Sequence, residues 1–377
     1  MMKKKVIRVS TVPISLDLLL KGQLRFLNNF FDVLAVSSPG DSLETVKERE
    51  GVKTKSIKIE RKISPIKDLI SLIMLYRLFK KEKPDIVHSI TPKAGLLSML
   101  AAYFAGCPIR CHTFTGLIFP TKSGLIKTIL IAMDKLLCYC ATHVYPEGLG
   151  VKNDLINYSV TNKPLKIIGN GNVNGVDIEY FDSLNVNVSE ETKIECRSNP
   201  GEFTFVFVGR LVRDKGINEL IKCFDELSKG YKNVKLILVG DFDLDPIDDS
   251  TLHLIGNNSR IVHVGFKKDI RPYLKLADVF VFPSYREGFP NVVLQAGAMC
   301  LPSIVTNING SNEIISNLYN GVIIEPRNEK CLKQEMEKMI VGKYNLLEMG
   351  RNAKNNIINK FDKKFVWNCL LEEYKSY

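Results

Sequence analysis

The sequence predicts an α/β protein with two Rossmann-like domains that face each other across a cleft. Its 377 residues are too many for one compact core and fit two domains of roughly 150 to 200 residues. In both halves, short β-rich runs alternate with longer helical patterns, which is typical of a parallel sheet covered by helices on both faces. An Asn/Gly-rich stretch separates the halves. We therefore expect an N-terminal domain over 1–170, a linker over 171–200 and a C-terminal domain over 201–355.

The first half opens with a strand and a helix. Val6–Val9 is a short β-rich run, Leu16–Asn29 has helical periodicity, and Val33–Val36 is a second β-rich run. Three further strands are predicted later in this half, at Asp85–Ile90, Ile109–Phe114 and His143–Tyr145. This order of elements predicts a Rossmann-like fold for the first half.

The second half repeats the pattern. Phe203–Val208 is a nearly continuous apolar run, as expected for a strand that is buried on both faces. A helix is predicted at Ile217–Leu227, followed by strands at Val234–Val239, Ile261–Val264 and Val279–Phe282. Residues 356–377 are predicted to form a C-terminal helix that packs back toward the N-terminal domain and carries the only tryptophan, Trp367.

Net charge, cysteine distribution and the length of apolar runs indicate which binding partners and which cellular compartment to expect. The net charge of +11 favours phosphates or an acidic membrane surface, and no nucleic acid is expected because no zinc-finger or RNA-binding signature accompanies it. The nine cysteines are scattered, mostly inside apolar runs, as expected for buried thiols in a reducing compartment. The longest apolar stretch, Ala94–Gly106, is shorter than the roughly 20 residues of a transmembrane helix. The predicted location is the cytoplasm, or the inner face of the membrane without a span across it.

A basic loop follows the buried strand of the second half. Gly209 and Arg210 come directly after that strand, and Lys215 and Gly216 precede the predicted helix. In an open α/β sheet, ligands bind at the carboxyl ends of strands, where a helix N-terminus offers free N–H groups to an anion. The two cations therefore predict a phosphate site, and a solvated basic turn is the alternative.

A carboxylate and a glycine mark another strand end. Glu287 and Gly288 lie between the strand Val279–Phe282 and a predicted helix start near Asn291. The carboxylate of Glu287 either compensates the helix dipole or binds a sugar hydroxyl or ribose diol. Gly288 lets backbone N–H groups approach a ligand closely.

Taken in order, these motifs resemble those of the family 4 glycosyltransferases, which have the GT-B fold. The resemblance covers nearly the whole chain, and the order and spacing of its motifs make it specific. The stretches that carry it are Asn174-Gly175-Val176-Asp177, Gly209-Arg210-Leu211, Asp214-Lys215-Gly216, Val264-Gly265-Phe266, Ala277 to Ser284 and Glu287 to Leu294.

The resemblance implies a role for each matching position. Arg210 and Lys215 match the pair that binds the donor diphosphate and stabilises the leaving group, and Glu287 matches a carboxylate near the donor sugar. These three are the predicted catalytic residues. The predicted residues around the nucleotide sugar are Gly209, Val264, Gly265, Phe266, Gly288, Phe289, Pro290, Asn291 and Gln295.

No metal and no cofactor is predicted beyond the nucleotide-diphosphate sugar donor, because two cations already neutralise the diphosphate. Asp241, Asp243 and Asp245 are spaced like the metal-holding carboxylates of the other large glycosyltransferase fold. They follow a glycine in a loop of the second half, so we interpret them as a surface loop.

The sequence departs from the family pattern in both halves. Gln295 stands where the family has a second carboxylate that contacts the ribose hydroxyls, and an amide still makes such hydrogen bonds. Where the family often has a histidine before a glycine, near the donor sugar, this chain has Thr115, and the histidine is moved to His112. A catalytic and a structural role are both open for His112. Gly22 is a further candidate, in the region where the family brings the acceptor and the donor phosphate together.

The resemblance implies retaining transfer of a sugar, with a UDP-sugar as donor, to a glycan acceptor on a lipid carrier. Such an enzyme builds a cell-surface polysaccharide: a capsule, an O-antigen or an exopolysaccharide. Two alternatives stay open. One is a GT-B-fold epimerase or phosphorylase, and the other is a nucleotide-sugar-binding module whose catalytic site has decayed.

Two helical segments have an open role. Residues 65–83 and 125–140 combine apolar and basic side chains. Such a segment either docks on the membrane that carries a lipid-linked acceptor or packs on the sheet as an ordinary helix.

Overall fold

The computed structural model describes residues 3–61, 63–243 and 245–377. The chain forms two compact units. The first consists of the described residues of Met1–Gly175 together with Lys364–Tyr377, and the second of those of Val176–Lys363. Each unit is built on a six-stranded sheet in which every paired strand is parallel to its neighbour. The predicted pair of Rossmann-like α/β domains is confirmed.

The first unit begins with a strand and alternates strands with helices. Its strands are β1 (Lys5–Val9), β2 (Asp32–Ser37), β3 (Lys53–Ser56), β4 (Ile86–Ile90), β5 (Ile109–Phe114) and β6 (His143–Pro146). Its helices are α1 (Pro13–Leu19), α2 (Gln23–Asn28), α3 (Asp41–Glu50), α4 (Pro65–Glu82), α5 (Pro92–Ala105), α6 (Gly124–Cys140) and α7 (Leu149–Asn157). The strand order β3-β2-β1-β4-β5-β6 reverses direction between β1 and β4.

The second unit repeats this topology. Its strands are β7 (Phe203–Val208), β8 (Val234–Val239), β9 (Ile261–His263), β10 (Val279–Phe282), β11 (Ser303–Thr306) and β12 (Gly321–Ile324). Its helices are α8 (Glu190–Glu195), α9 (Ile217–Gly230), α10 (Asp249–Asn257), α11 (Arg271–Lys275), α12 (Asn291–Ala298), α13 (Ser311–Ile314), α14 (Glu329–Ile340) and α15 (Leu346–Phe361), and α16 (Lys363–Lys375) returns to the first unit. The order β12-β11-β10-β7-β8-β9 places the reversal between β7 and β10. Ligands bind at such reversals in open α/β sheets.

The centre of the second sheet is a dense apolar core. Phe205 and Phe207 of β7 are fully buried, as is Phe282 of β10. The rings of Phe207 and Phe282 stack with centroids 5.9 Å apart. Truncating a buried phenylalanine costs about 3 to 5 kcal/mol, so these contacts fix the ends of β7 and β10 relative to each other.

The single helix predicted at Leu16–Asn29 was wrong: this segment forms two helices, α1 and α2. Gly22 interrupts it with a φ of 82°. A Cβ atom at Gly22 would lie 2.7 Å from Cη2 of Trp367, so only glycine fits between α2 and α16.

The boundary between the units lies inside the segment predicted as a linker. Residues 171–175 belong to the first unit, and the rest of 171–200 belongs to the second. The N–H of Val176 donates to the carbonyl of Phe361 at 2.8 Å, and Cys196 is fully buried in the core of the second unit. The segment predicted as one C-terminal helix spans the end of α15 and all of α16, because the chain leaves the helical conformation at Asp362.

Helix α16 is held to the first sheet by a buried polar network. The hydroxyl of Tyr374 accepts a hydrogen bond from Nη1 of Arg8 at 2.8 Å and lies 2.5 Å from Nδ1 of His88. Nε2 of His88 lies 2.7 Å from Oγ1 of Thr113. Burial and the adjacent Arg8 charge hold the pKa of His88 well below its usual value, so the imidazole is neutral and joins three polar groups. His88 therefore has a structural role in this network.

Candidate active site

The loops after β7 and β10 meet at the reversal of the second sheet. Gly216, which precedes α9, has a φ of 70°, and a Cβ atom there would lie 2.2 Å from the carbonyl oxygen of Pro283. The N–H of Tyr285 donates to the carbonyl of Asp214 at 2.8 Å. The glycine therefore lets two backbone segments touch where a ligand site is expected.

An ion pair joins the two loops. Nζ of Lys215 is paired with Oε1 of Glu287, and each side chain is only 16% exposed. The hydroxyl of Ser284 donates to the same carboxylate oxygen at 2.9 Å, and Nζ of Lys215 lies 5.1 Å from the ring centroid of Phe282. These contacts order the Lys215 ammonium at the carboxyl end of the sheet. A half-buried, oriented ammonium can stabilise an anion that forms beside it.

Arg210 has a different partner. Its Nη1 lies 2.8 Å from Oδ2 of Asp243, and its side chain is 63% exposed. The structure thus brings Lys215 and Glu287 together and directs Arg210 toward the loop after β8. Asp243 was expected only as part of a surface loop, and Leu244 of that loop lies outside the described residues.

The predicted base-binding segment lies beside this loop. The N–H of Phe266 donates to Oδ1 of Asp241 at 2.9 Å, and the N–H of Gly240 donates to the carbonyl of Gly265 at 2.9 Å. A Cβ atom at Gly240 would lie 1.9 Å from the carbonyl oxygen of Gly209. The loops after β7, β8 and β9 are thereby packed together, and they present the ring of Phe266, which is 65% exposed. Val264 is half-buried at the end of β9.

The remaining predicted donor residues surround the start of α12. Gly288, Phe289 and Pro290 are buried, and the ring of Phe289 packs on Phe361 with centroids 5.4 Å apart. Asn291, the first residue of α12, and Gln295, one turn later, are half-buried. Buried anchors thus hold the loop that carries Glu287.

The three candidates of the first half lie in the first unit. Gly22 donates its N–H to the buried Glu50 at 2.9 Å and packs on Trp367. His112 is buried, with Nδ1 2.9 Å from Oγ of Ser89. Thr115 follows β5 directly and is half-buried. In the structure, the contacts of Gly22 and His112 connect elements of the first unit.

Comparison with known proteins identifies the family of this chain. The family described as "Glycosyl transferases group 1" matches residues 188–356, and "Glycosyl transferase 4-like" matches residues 17–147. The capsular polysaccharide biosynthesis glycosyltransferase CapM of Staphylococcus aureus is 35% identical across 100% of this chain and 98% of its own length. The chain belongs to the group 1 glycosyltransferases.

A second relative by sequence and a solved structure extend the match. A protein of Escherichia coli named as a UDP-Gal:alpha-D-GlcNAc-diphosphoundecaprenol alpha-1,3-galactosyltransferase is 34% identical over 80% of this chain and 78% of its own. Among solved structures, HepE of Anabaena, crystallised with UDP and glucose, superposes over 100% of both chains with a TM-score of 0.83 and 17% identity. The GT-B fold implied by the sequence motifs is confirmed.

The described residues form neither a membrane-spanning helix nor a metal-binding cluster. Among residues 3–61, 63–243 and 245–377, no helix is long and apolar enough to cross a membrane. Within the same part of the chain, no group of three or more His, Cys, Asp or Glu side chains is arranged to hold a metal ion. All nine cysteines of the glycosyltransferase are free thiols.

Sequence reasoning missed two side-chain partners in the candidate active site. Asp243 pairs with Arg210 across 33 positions of sequence, and nothing local signals that pairing. Ser284 orients Glu287, and its position two residues after β10 was the available signal, because polar residues at strand ends face ligand sites.

The imidazole of His112 is expected to stay neutral throughout the physiological pH range. Burial lowers its pKa to about 3, since a charged imidazole would lose its hydration. Unfolding exposes the ring to water, so this residue contributes stability that decreases as the pH falls from about 6.5 toward 3. Histidine-selective NMR should show no titration shift for His112 between pH 8 and pH 5. A midpoint above pH 5 would contradict the prediction and restore His112 as a candidate acid.

Proposed function

We propose that this glycosyltransferase transfers a sugar, with retention of configuration, from a UDP-sugar to a glycan on a lipid diphosphate carrier during cell-surface polysaccharide assembly. The observation that carries the proposal is the Lys215–Glu287 pair at the reversal of the second sheet. The printed names of the relatives support the substrate classes. One acts in capsule biosynthesis, and another takes UDP-galactose and a diphosphoundecaprenol acceptor.

Lys215 is the central group of the proposed mechanism. Bond cleavage at the donor sugar transfers negative charge to the terminal phosphate of the departing UDP. An ammonium ordered by Glu287 and Phe282 stabilises that charge more strongly in the transition state than in the ground state, which lowers the barrier. Arg210 adds a second cation on an exposed side chain, so no metal is required in this mechanism.

The other donor contacts follow from where the residues lie. In this proposal, backbone groups of Val264, Gly265 and Phe266 bind the base, and the amide of Gln295 hydrogen-bonds the ribose hydroxyls. Glu287 contacts the sugar while it orients Lys215. Because a glutamine carries no charge, the ribose contact at Gln295 is independent of pH.

The decisive experiment is a panel of UDP-, GDP- and dTDP-sugars incubated with short undecaprenyl-diphosphate-linked acceptors. We expect one UDP-sugar to give a product that is one sugar heavier by mass spectrometry, with the donor's anomeric configuration by NMR. The reaction should persist in excess EDTA. Lys215→Ala should lose this activity. Its matched control is Lys222→Ala, which removes a lysine of α9 that is 40% exposed and pairs with Glu329 rather than with a site carboxylate. This variant should retain wild-type turnover.

The rivals give different results in the same panel. Consumption of inorganic phosphate indicates a phosphorylase, and interconversion of free nucleotide sugars without transfer indicates an epimerase. Binding of UDP by a folded protein that transfers no sugar to any acceptor indicates a binding module. Each of these results overturns the proposed activity.

A further inference from the structure

Helix α4 has apolar residues on two opposite faces. Ser71, Leu75 and Phe79 form the buried face, and the last two belong to the apolar core that covers the first sheet. On the outer face, large apolar side chains recur with helical spacing and are exposed, with 78% exposure at the first of them: Ile66, Leu69, Ile70, Ile73 and Met74. Since one face of a surface helix is normally polar, the outer apolar stripe requires an explanation.

Helices α5 and α6 also carry exposed apolar side chains. Helix α5 packs between α4 and α6. On α6, the exposed apolar side chains are Leu125, Ile126, Ile129, Leu136 and Tyr139. At the end of α5, Tyr103 and Phe104 are exposed, and the rings of Tyr103 and Tyr139 lie 6.1 Å apart. We call the exposed apolar residues of α4, α5 and α6 the outer apolar face.

Basic residues accompany the outer apolar face. The three helices carry seven lysines and arginines: Lys67, Arg77, Lys80, Lys81, Lys93, Lys127 and Lys135. Their acidic residues are Asp68, Glu82 and Asp134. Asp68 pairs with Lys93 at 2.7 Å and Glu82 with Lys5 at 2.8 Å, while burial raises the pKa of Asp134 to about 7. Lys67 in turn pairs with Glu60 at 3.0 Å, so the exposed cations beside the apolar residues are chiefly Arg77, Lys80, Lys81 and Lys135.

The basic residues of α4 follow the apolar stripe in register. Arg77 is four residues after Ile73, and Lys81 is four residues after Arg77, so they extend the same side of the helix. Both are exposed. The stripe thus changes from apolar to cationic at the C-terminal end of α4, so one side of the helix offers both apolar and basic side chains.

We propose that the outer apolar face docks on an anionic phospholipid bilayer. The apolar side chains enter the boundary between headgroups and acyl chains, and the basic side chains contact the lipid phosphates. Charge argues against a second copy of the chain as the occupant, because two such faces would bring like charges together. The proposal rests on the proposed function in one respect. A lipid-linked acceptor lies in the bilayer, so an enzyme that uses it must reach the bilayer surface.

The test is co-sedimentation of the full-length protein with vesicles, without donor or acceptor. Vesicles of phosphatidylcholine with phosphatidylglycerol should bind the protein in a salt-sensitive manner, and phosphatidylcholine alone should bind it weakly. The variant Ile70→Ser/Ile73→Ser should lower the partition coefficient by about tenfold or more for each side chain. The matched control Leu184→Ser/Ile194→Ser removes two side chains of the second unit that are at least as exposed, and it should bind as the wild type does.

A second pair of variants tests the charge. Arg77→Glu/Lys81→Glu should abolish the preference for phosphatidylglycerol, and Lys330→Glu/Lys343→Glu, which changes exposed lysines of the second unit, should not. Equal binding to both vesicle types, or a dimer in gel filtration that Ile70→Ser/Ile73→Ser dissociates without any vesicle binding, overturns the proposal.

Sugar transfer to a water-soluble acceptor distinguishes a failure of membrane docking from a failure of the proposed function. If only docking fails, this transfer is unchanged in all four variants. If the proposed function is wrong, the wild-type protein also lacks the transfer activity.

Discussion

Lys215→Ala is expected to abolish sugar transfer while the protein stays folded. The ammonium of Lys215 is the cation that the ion pair with Glu287 orders at the reversal of the second sheet. Removing one preorganised group that stabilises transition-state charge costs about 100- to 1000-fold in turnover. We expect a drop of that size in kcat, with a smaller change in KM, because the contact strengthens as the leaving group becomes charged. Steady-state assays of UDP release measure both constants.

The Lys215 variant also leaves the half-buried carboxylate of Glu287 without its cation. A second variant, Lys215→Met, preserves an apolar stem but removes the ammonium that lies over the Phe282 ring, so it separates loss of charge from loss of side-chain packing. Both variants should unfold cooperatively, and both should lose activity equally. Wild-type kcat in either folded variant would remove Lys215 from the proposed mechanism.

The fold was largely predictable because most of its buried strands are continuous apolar runs in the sequence. β7 is buried on both faces and has almost no polar residue, so its position is evident from sequence. β3 reads Lys-Thr-Lys-Ser, lies at an edge of the first sheet and is mostly exposed, so no hydrophobic pattern marks it. Local pattern therefore located most of the central strands. It missed the polar edge strand β3, and it also missed β11 and β12, which are largely buried but only four residues long.

The candidate active site was predictable only for residues that directly follow the ends of strands. Lys215 and Glu287 come after β7 and β10, and the parallel topology alone brings those ends together. The partner of Arg210 was not predictable, because Asp243 lies after a different strand and the contact depends on how two loops curve. Likewise, alternation along β5 does not reveal that His112 is buried, since burial depends on the helices that cover the sheet.

Gly216→Ala is expected to disable the proposed active site by displacing its backbone. A Cβ atom at Gly216 would lie 2.2 Å from the carbonyl oxygen of Pro283, so the loop after β7 must move away from the loop after β10. Lys215 and Glu287 lie on these two loops, and a displacement of about 1 Å can lower turnover roughly 100-fold. The clash should also lower the free energy of unfolding by about 1 to 3 kcal/mol, measured by chemical denaturation.

Gly342→Ala separates this clash from the strain of a left-handed alanine. Gly342 has a φ of 71°, nearly that of Gly216, but a Cβ atom there has nothing within 4 Å. Both variants carry the conformational cost of about 1 to 2 kcal/mol, and only Gly216→Ala carries the steric one. Wild-type kcat in Gly342→Ala together with a large loss in Gly216→Ala would show that contact between the two loops aligns Lys215 with Glu287. Equal losses of stability and unchanged turnover in both variants would mean that the loops tolerate separation, and that the ion pair forms without the backbone contact.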